Sequence, residues 1–251
     1  MKKTTKLTIW IVTAGLLCCG IIAGVMYYFK QKDSKRDQTR EEILSTMVAE
    51  IDRHPNATFI VDENALPVLG DEGFEEFEEE HSTTASIEAT SEPSESIEPS
   101  ETTESVPENT DPPAPGEDYT LTAIGNIAIS SIDSKIPLYQ GAGKVELRYG
   151  AGHNPATAMP GQTGNCVIYG HRMRKYGLLW NRLGEVAVGD SIKIIMGDTT
   201  YTYIVDQTIT IEPSEISQYI NADDGSAKIT LITCTPTGVG SHRLLVIGHI
   251  S

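Results

Sequence analysis

The sequence predicts a C-terminal domain dominated by β-structure, a barrel or a sandwich, preceded by one membrane-crossing helix and a disordered acidic stalk. Three observations carry this. Residues 119–251 hold short β-branched runs broken by Gly, Pro and Asp turn signals. Residues 7–29 form an uncharged, mostly apolar run of 23 residues, enough to cross a bilayer as a helix. Between these regions the chain becomes Ser, Thr, Glu and Pro with almost no apolar residues, a composition that cannot offset its own ordering entropy.

The charge follows the same division. The net charge of −16 averages over eight basic and two acidic residues in 1–40, one basic and twenty-three acidic in 41–118, and ten of each sign in 119–251. Only the last region has the balance of an ordinary globular domain, and its length suffices for one core. It carries no basic patch, which argues against a nucleic-acid partner.

In chain order, residues 1–6 are a short basic N-terminus. The apolar run at 7–29 has Trp10, Tyr27, Tyr28 and Phe29 near its ends, where aromatic belts sit. Basic residues follow it instead of a small-residue cleavage site, so a retained anchor is expected. Within a juxtamembrane segment, 30–70, Ile43, Leu44, Met47, Val48 and Ile51 recur at helical spacing and predict a short amphipathic helix. Residues 71–118 are the expected stalk, held extended by like charges and carrying the domain away from the membrane. In 119–251 strands are predicted at 124–129, 136–140, 165–169, 191–196, 201–210, 228–233 and 243–250. Short helices are predicted at 177–182 and 214–219.

The chemistry gathers at strand ends. Thr230-Leu231-Ile232-Thr233-Cys234 closes one strand, and Arg243 opens the next after the turn residues Pro236, Gly238 and Gly240. An earlier strand runs into Gly170-His171. A thiol, an imidazole and a fixed positive charge are the parts of a cysteine acyl-transfer site. Taken singly, each has a plainer reading: a buried small residue, a turn and a solvated edge charge.

Together these residues resemble the sortases, cysteine transpeptidases of Gram-positive cell surfaces. The Thr-Leu-x-Thr-Cys strand, the distal Arg243 and Gly170-His171 carry the resemblance, helped by Gly152-His153 and the run Met159-Pro160-Gly161-Gln162. Ser241-His242-Arg243-Leu244-Leu245-Val246 is most similar to the pilin-type, class C branch. The Asp-Pro-aromatic lid motif of that branch has no match here, and the chain ends at Ser251 without a second apolar span.

The resemblance implies an eight-stranded barrel with short helices over 119–251, and an extracellular catalytic domain on a single-pass membrane anchor. Three basic residues precede the apolar run and five follow it, so charge alone slightly favours the opposite orientation. It also implies cleavage of a Leu-Pro-x-Thr-Gly-like motif between Thr and Gly through a thioester on Cys234. His171 would be the proton-transfer group and Arg243 the donor to oxyanion or substrate backbone. The partners implied are surface proteins bearing the motif and an amine acceptor, either a pilin lysine or a cell-wall precursor.

His153 and Thr233 are further candidates for substrate contact. Cys166 is expected to be a packed core thiol, not a disulfide partner of Cys234, and His54, His81 and His249 have no evident partners. With no Cys-x-x-Cys and no paired-histidine helix, neither a metal nor a cofactor is expected. The alternative is an inactive sortase-like binding or receptor domain on a stalk. A papain-like amidase would place its cysteine early, at a helix N-terminus, with the histidine after it; here the order is reversed.

Overall fold

The computed structural model describes residues 2–62, 118–221 and 225–251, with side chains from Cys19 onward except those of Arg36 and Asp62. The chain divides into two compact units, Met1–Ile43 and Leu44–Ser251. Helix α1 spans Lys2–Arg53 without a break. Among the described residues no helix is long and apolar enough to cross a membrane; side chains before Cys19, just over half of the expected span at 7–29, lie outside that description. The acidic segment also lies outside the described residues, up to Asp118.

The second unit is built on nine strands: β1 Thr58–Asp62, β2 Asp118–Ile129, β3 Ser134–Gln140, β4 Ala151–His153, β5 Gly164–Gly170, β6 Ser191–Met196, β7 Thr199–Ile211, β8 Ala227–Thr235 and β9 His242–Ile250. Their order is β1-β2-β3-β4-β5-β8-β9-β7-β6, and β2 pairs also with β6. That last pairing closes β2–β9 into an eight-stranded barrel, with β1 added outside it. At the closure β2 comes so near β6 that a Cβ on Gly125 would lie 2.3 Å from the Ile195 carbonyl oxygen, and Gly125 has φ +152°. Only glycine suits both conditions.

Strand alternation divides the apolar residues between two clusters. Cys166, Ile168, Ile229, Leu231, Leu244 and Val246 point into the barrel with Ile127, Leu138, Ile192, Ile194 and Tyr203. Val167, Tyr169, Ile232 and Leu245 point outward and are covered by Leu147 of α2 (Lys144–Tyr149) and Ile216 of α3 (Ile216–Ile220). Burial of each such side chain contributes about 1.5–3 kcal/mol.

Three expectations are corrected. The amphipathic stretch is not a short separate helix but the last turns of α1. It packs on the barrel, burying Leu44, Met47 and Ile51, because those residues fall on one helical face. The compact unit that holds the barrel runs from Leu44 and includes β1, whose pairing sets Asp62 opposite Asp118. Residues 177–182 are turns, since Gly177 and Leu179 both have positive φ and Leu179 bridges to Arg172. The helix expected at 214–219 divides into a 3-10 turn, Pro213–Glu215, and α3.

The docked end of α1 is fastened by polar side chains. Asn126 Nδ2 donates to the Val48 carbonyl at 3.2 Å and to Asp52 Oδ1 at 2.9 Å. Lys135 Nζ bonds both oxygens of Asp52 at 2.7 and 2.8 Å. The Tyr139 hydroxyl reaches Met47 Sδ at 3.2 Å, and the Tyr139 ring meets Phe59 of β1 edge-on.

Candidate active site

Sheet register assembles the site. Cys234 of β8 stands directly opposite Arg243 of β9, and directly opposed residues of antiparallel strands share a face. Strand β5 runs parallel to β8, with Tyr169 level with Ile232. That is the last pair of the ladder; His171 lies two residues beyond Tyr169, and Cys234 two residues beyond Ile232. Tyr169, Ile232 and Leu245 all face the outer cluster, so Cys234 and Arg243 fall on the outer face at one end of β8 and β9, and His171 follows the neighbouring end of β5. Cys234 packs against that cluster.

Two contacts fix the histidine against the nucleophile strand. Thr233 Oγ1 donates to the Gly170 carbonyl at 2.7 Å, fully buried. Trp180 lies against Gly170, where a Cβ would come within 2.2 Å of the indole ring, and the Trp180 backbone N–H donates to the His171 carbonyl at 3.3 Å. The Gly-His dipeptide is thus more than a turn: glycine lets the ring pack beneath the backbone that carries the imidazole.

Cys234 is half-buried, Cys166 lies inside the barrel, and neither is in a disulfide. Burial pushes the Cys166 thiol up to about 12, which leaves it protonated and inert near neutrality. Arg243 is wholly buried, and its Nη1 donates to the carbonyls of Gly240 at 2.8 Å and His242 at 3.3 Å. Its charge is therefore held within the β8–β9 turn beside the nucleophile.

The two candidates for substrate contact take other places. Thr233 faces inward and positions the histidine strand. His153 is 1% exposed, opposite Ile168 and away from the strand end, with Nε2 3.0 Å from the Ala158 carbonyl. His242 pairs with Thr235 and lies beside Ser241 Oγ. Of the histidines expected to lack partners, His249 lies 2.7 Å from Asp206 and His54 3.8 Å from Glu50; His81 is outside the described residues. Sequence reasoning missed Trp180 and Arg172. Trp180, nine residues beyond His171, left no local signal; Arg172 adjoins the histidine but reads as an ordinary loop charge.

Residues 127–251 match the family model described as the sortase domain. Sortase A of Listeria monocytogenes is 32% identical over 127 residues, covering 51% of this chain and 56% of that protein. Sortase D of Bacillus subtilis is 26% identical over 132 residues, 51% of this chain and 64% of that protein. Among solved structures, sortase A from Corynebacterium diphtheriae is 36% identical, with a TM-score of 0.48, covering 51% of this chain and 60% of that one. The chain thus spans a little over half the length of the curated relatives it matches.

Proposed function

Since the C-terminal domain of this chain belongs to the sortase family, we propose that the protein is a membrane-anchored cysteine transpeptidase. It cleaves an LPXTG-like sorting motif between Thr and Gly and transfers the acyl group to an amine, a pilin lysine or a cell-wall precursor. The observation that carries this reading is the register that sets Cys234 directly opposite Arg243 on β8 and β9, with β5, which runs into His171, paired alongside β8.

The chemistry follows from those three groups. The Cys234 thiolate attacks the carbonyl carbon of the motif's Thr, forming a C–S bond and a tetrahedral oxyanion. His171 gives a proton to the Gly nitrogen, and the C–N bond breaks to leave a thioester. The acceptor amine then attacks the thioester carbonyl and gives its proton to His171, and the Cys234 thiolate departs. Arg243 supplies a fixed positive charge opposite the sulfur throughout.

The anchor in this reading is the uncharged run at 7–29; the outward orientation of the catalytic domain rests on the resemblance to sortases and not on the flanking charges. In a cell fractionation, the chain stays with the membrane after alkaline extraction if this is right and is released if it is wrong.

The deciding assay is mass spectrometry of the full chain mixed with sorting-motif peptides and an amine. A thioester adduct on Cys234 and an amine-linked product are expected. Turnover that persists in a folded Cys234→Ala protein overturns the reading. Peptide binding with neither adduct nor product favours the receptor-like alternative.

A further inference from the structure

Arg172, next to the proposed proton-transfer histidine, has no part in the steps above. It is half-buried, and its guanidinium crosses from the loop after β5 to the end of β8. Nη1 donates to Thr235 Oγ1 at 2.8 Å and Nε to the Asn181 carbonyl at 3.4 Å. Thr235 directly follows the nucleophile. A Cβ on Gly184 would come 3.0 Å from Nη2, so the guanidinium is also flanked on that side.

We propose that Arg172 is a positioning residue of the acyl-transfer site, holding a second fixed positive charge beside Cys234 and tying the His171 loop to the nucleophile strand. The inference deepens the proposed cysteine chemistry and rests on it. Two features support it. Burial lowers the Arg172 proton affinity, and Cys234 acts in the opposite sense, which marks the two as electrostatic neighbours. The planar fork is held at two points, by a hydroxyl and a carbonyl, a geometry that a lysine ammonium cannot reproduce. Arg174 is a built-in contrast: it joins the same two loops, donating to the Gly238 carbonyl at 3.2 Å, but is exposed.

The charged and titratable groups around Cys234 are His171 at the end of β5, Arg172 and Arg174 on the next loop, and His242 and Arg243 on β9. Removing one cation from this set disfavours the thiolate. A neighbouring opposite charge typically lowers an acid's pKa by about 1–3 units.

The test follows alkylation of Cys234 by iodoacetamide against pH in the full chain in detergent, with site-resolved mass spectrometry separating it from Cys18, Cys19 and Cys166. In Arg172→Gln the midpoint is expected to rise by about one unit, slowing alkylation about tenfold below it. Arg172→Lys should restore the midpoint but not the transfer rate, and Arg174→Gln should leave the midpoint in place. An unchanged midpoint in folded Arg172→Gln overturns the proposal, as does a raised midpoint in Arg172→Lys. Thr235→Ala, which releases the guanidinium but keeps every charge, should move the midpoint the same way by less; no movement counts against the proposal even where Arg172→Gln fails to fold. A wild-type chain that transfers no motif peptide sinks the proposed function, whereas the midpoints still decide the role of Arg172.

Discussion

The docked end of α1 and the catalytic ends of β5, β8 and β9 both lean on the barrel, and they are held in different ways. At the first, a few side chains close the contact: Asn126, Asp52, Lys135 and Met47. At the second, position is set by continuous backbone pairing over β5, β8 and β9, and side chains only trim it. A seam made of side chains can be weakened one bond at a time without moving the barrel. A site made of register moves only when strands move, so its substitutions act on chemistry before they act on folding.

His171→Ala breaks this comparison most strongly if it is wrong. Loss of the proton-transfer group should lower transfer about 10²–10⁴-fold with an unchanged urea midpoint. A large loss of stability would show that the site also holds the fold. Thr233→Val comes next, because it leaves the buried Gly170 carbonyl without its donor. About 1–3 kcal/mol of stability should go, with a fall in kcat as the His171 backbone loosens. Asn126→Ala is the reverse case: about 1–2 kcal/mol less stability in urea, with kcat/KM of the folded protein intact.

Strand β4 lies between the two regions in the sheet and offers a pH control. Burial holds the His153 imidazole below its ordinary 6.5, so as pH falls through that value the unfolded chain takes up a proton first. Stability should therefore decline below about pH 6.5. Glu146, raised by burial, acts in the opposite sense, losing stability as pH rises through its folded pKa. The slope that disappears in His153→Gln is then the measure, and an identical pH profile in both proteins would refute it. The smallest effect belongs to Lys135→Ala. Its ion pair with Asp52 is more than a third exposed on both sides, so about 0–1 kcal/mol is expected, vanishing in high salt.

What the sequence disclosed follows the same line. Long runs such as 191–196 and 243–250 announced their strands because β-branched residues recur along them. Strand β4 left no such trace: Ala151-Gly152-His153 is extended because β3 and β5 pair with it, a tertiary effect. His171, Cys234 and Arg243 stand out as candidates in the sequence because each adjoins the end of a strong strand. Thr233 was noticed but given a different task, since whether a side chain faces substrate or a neighbouring carbonyl depends on a register that no local pattern encodes. The α1 stripe of Leu44, Met47 and Ile51 showed a buried face without showing what would bury it.

The pairing of Asp62 with Asp118 has a consequence in polymer terms. The acidic segment leaves the second unit and re-enters it at neighbouring points, so its contour length adds no reach. It is an excursion with both ends pinned, not a tether in series with the domain. The number of residues between Asp62 and Asp118 therefore leaves untouched the span of chain joining the N-terminal run to Leu44.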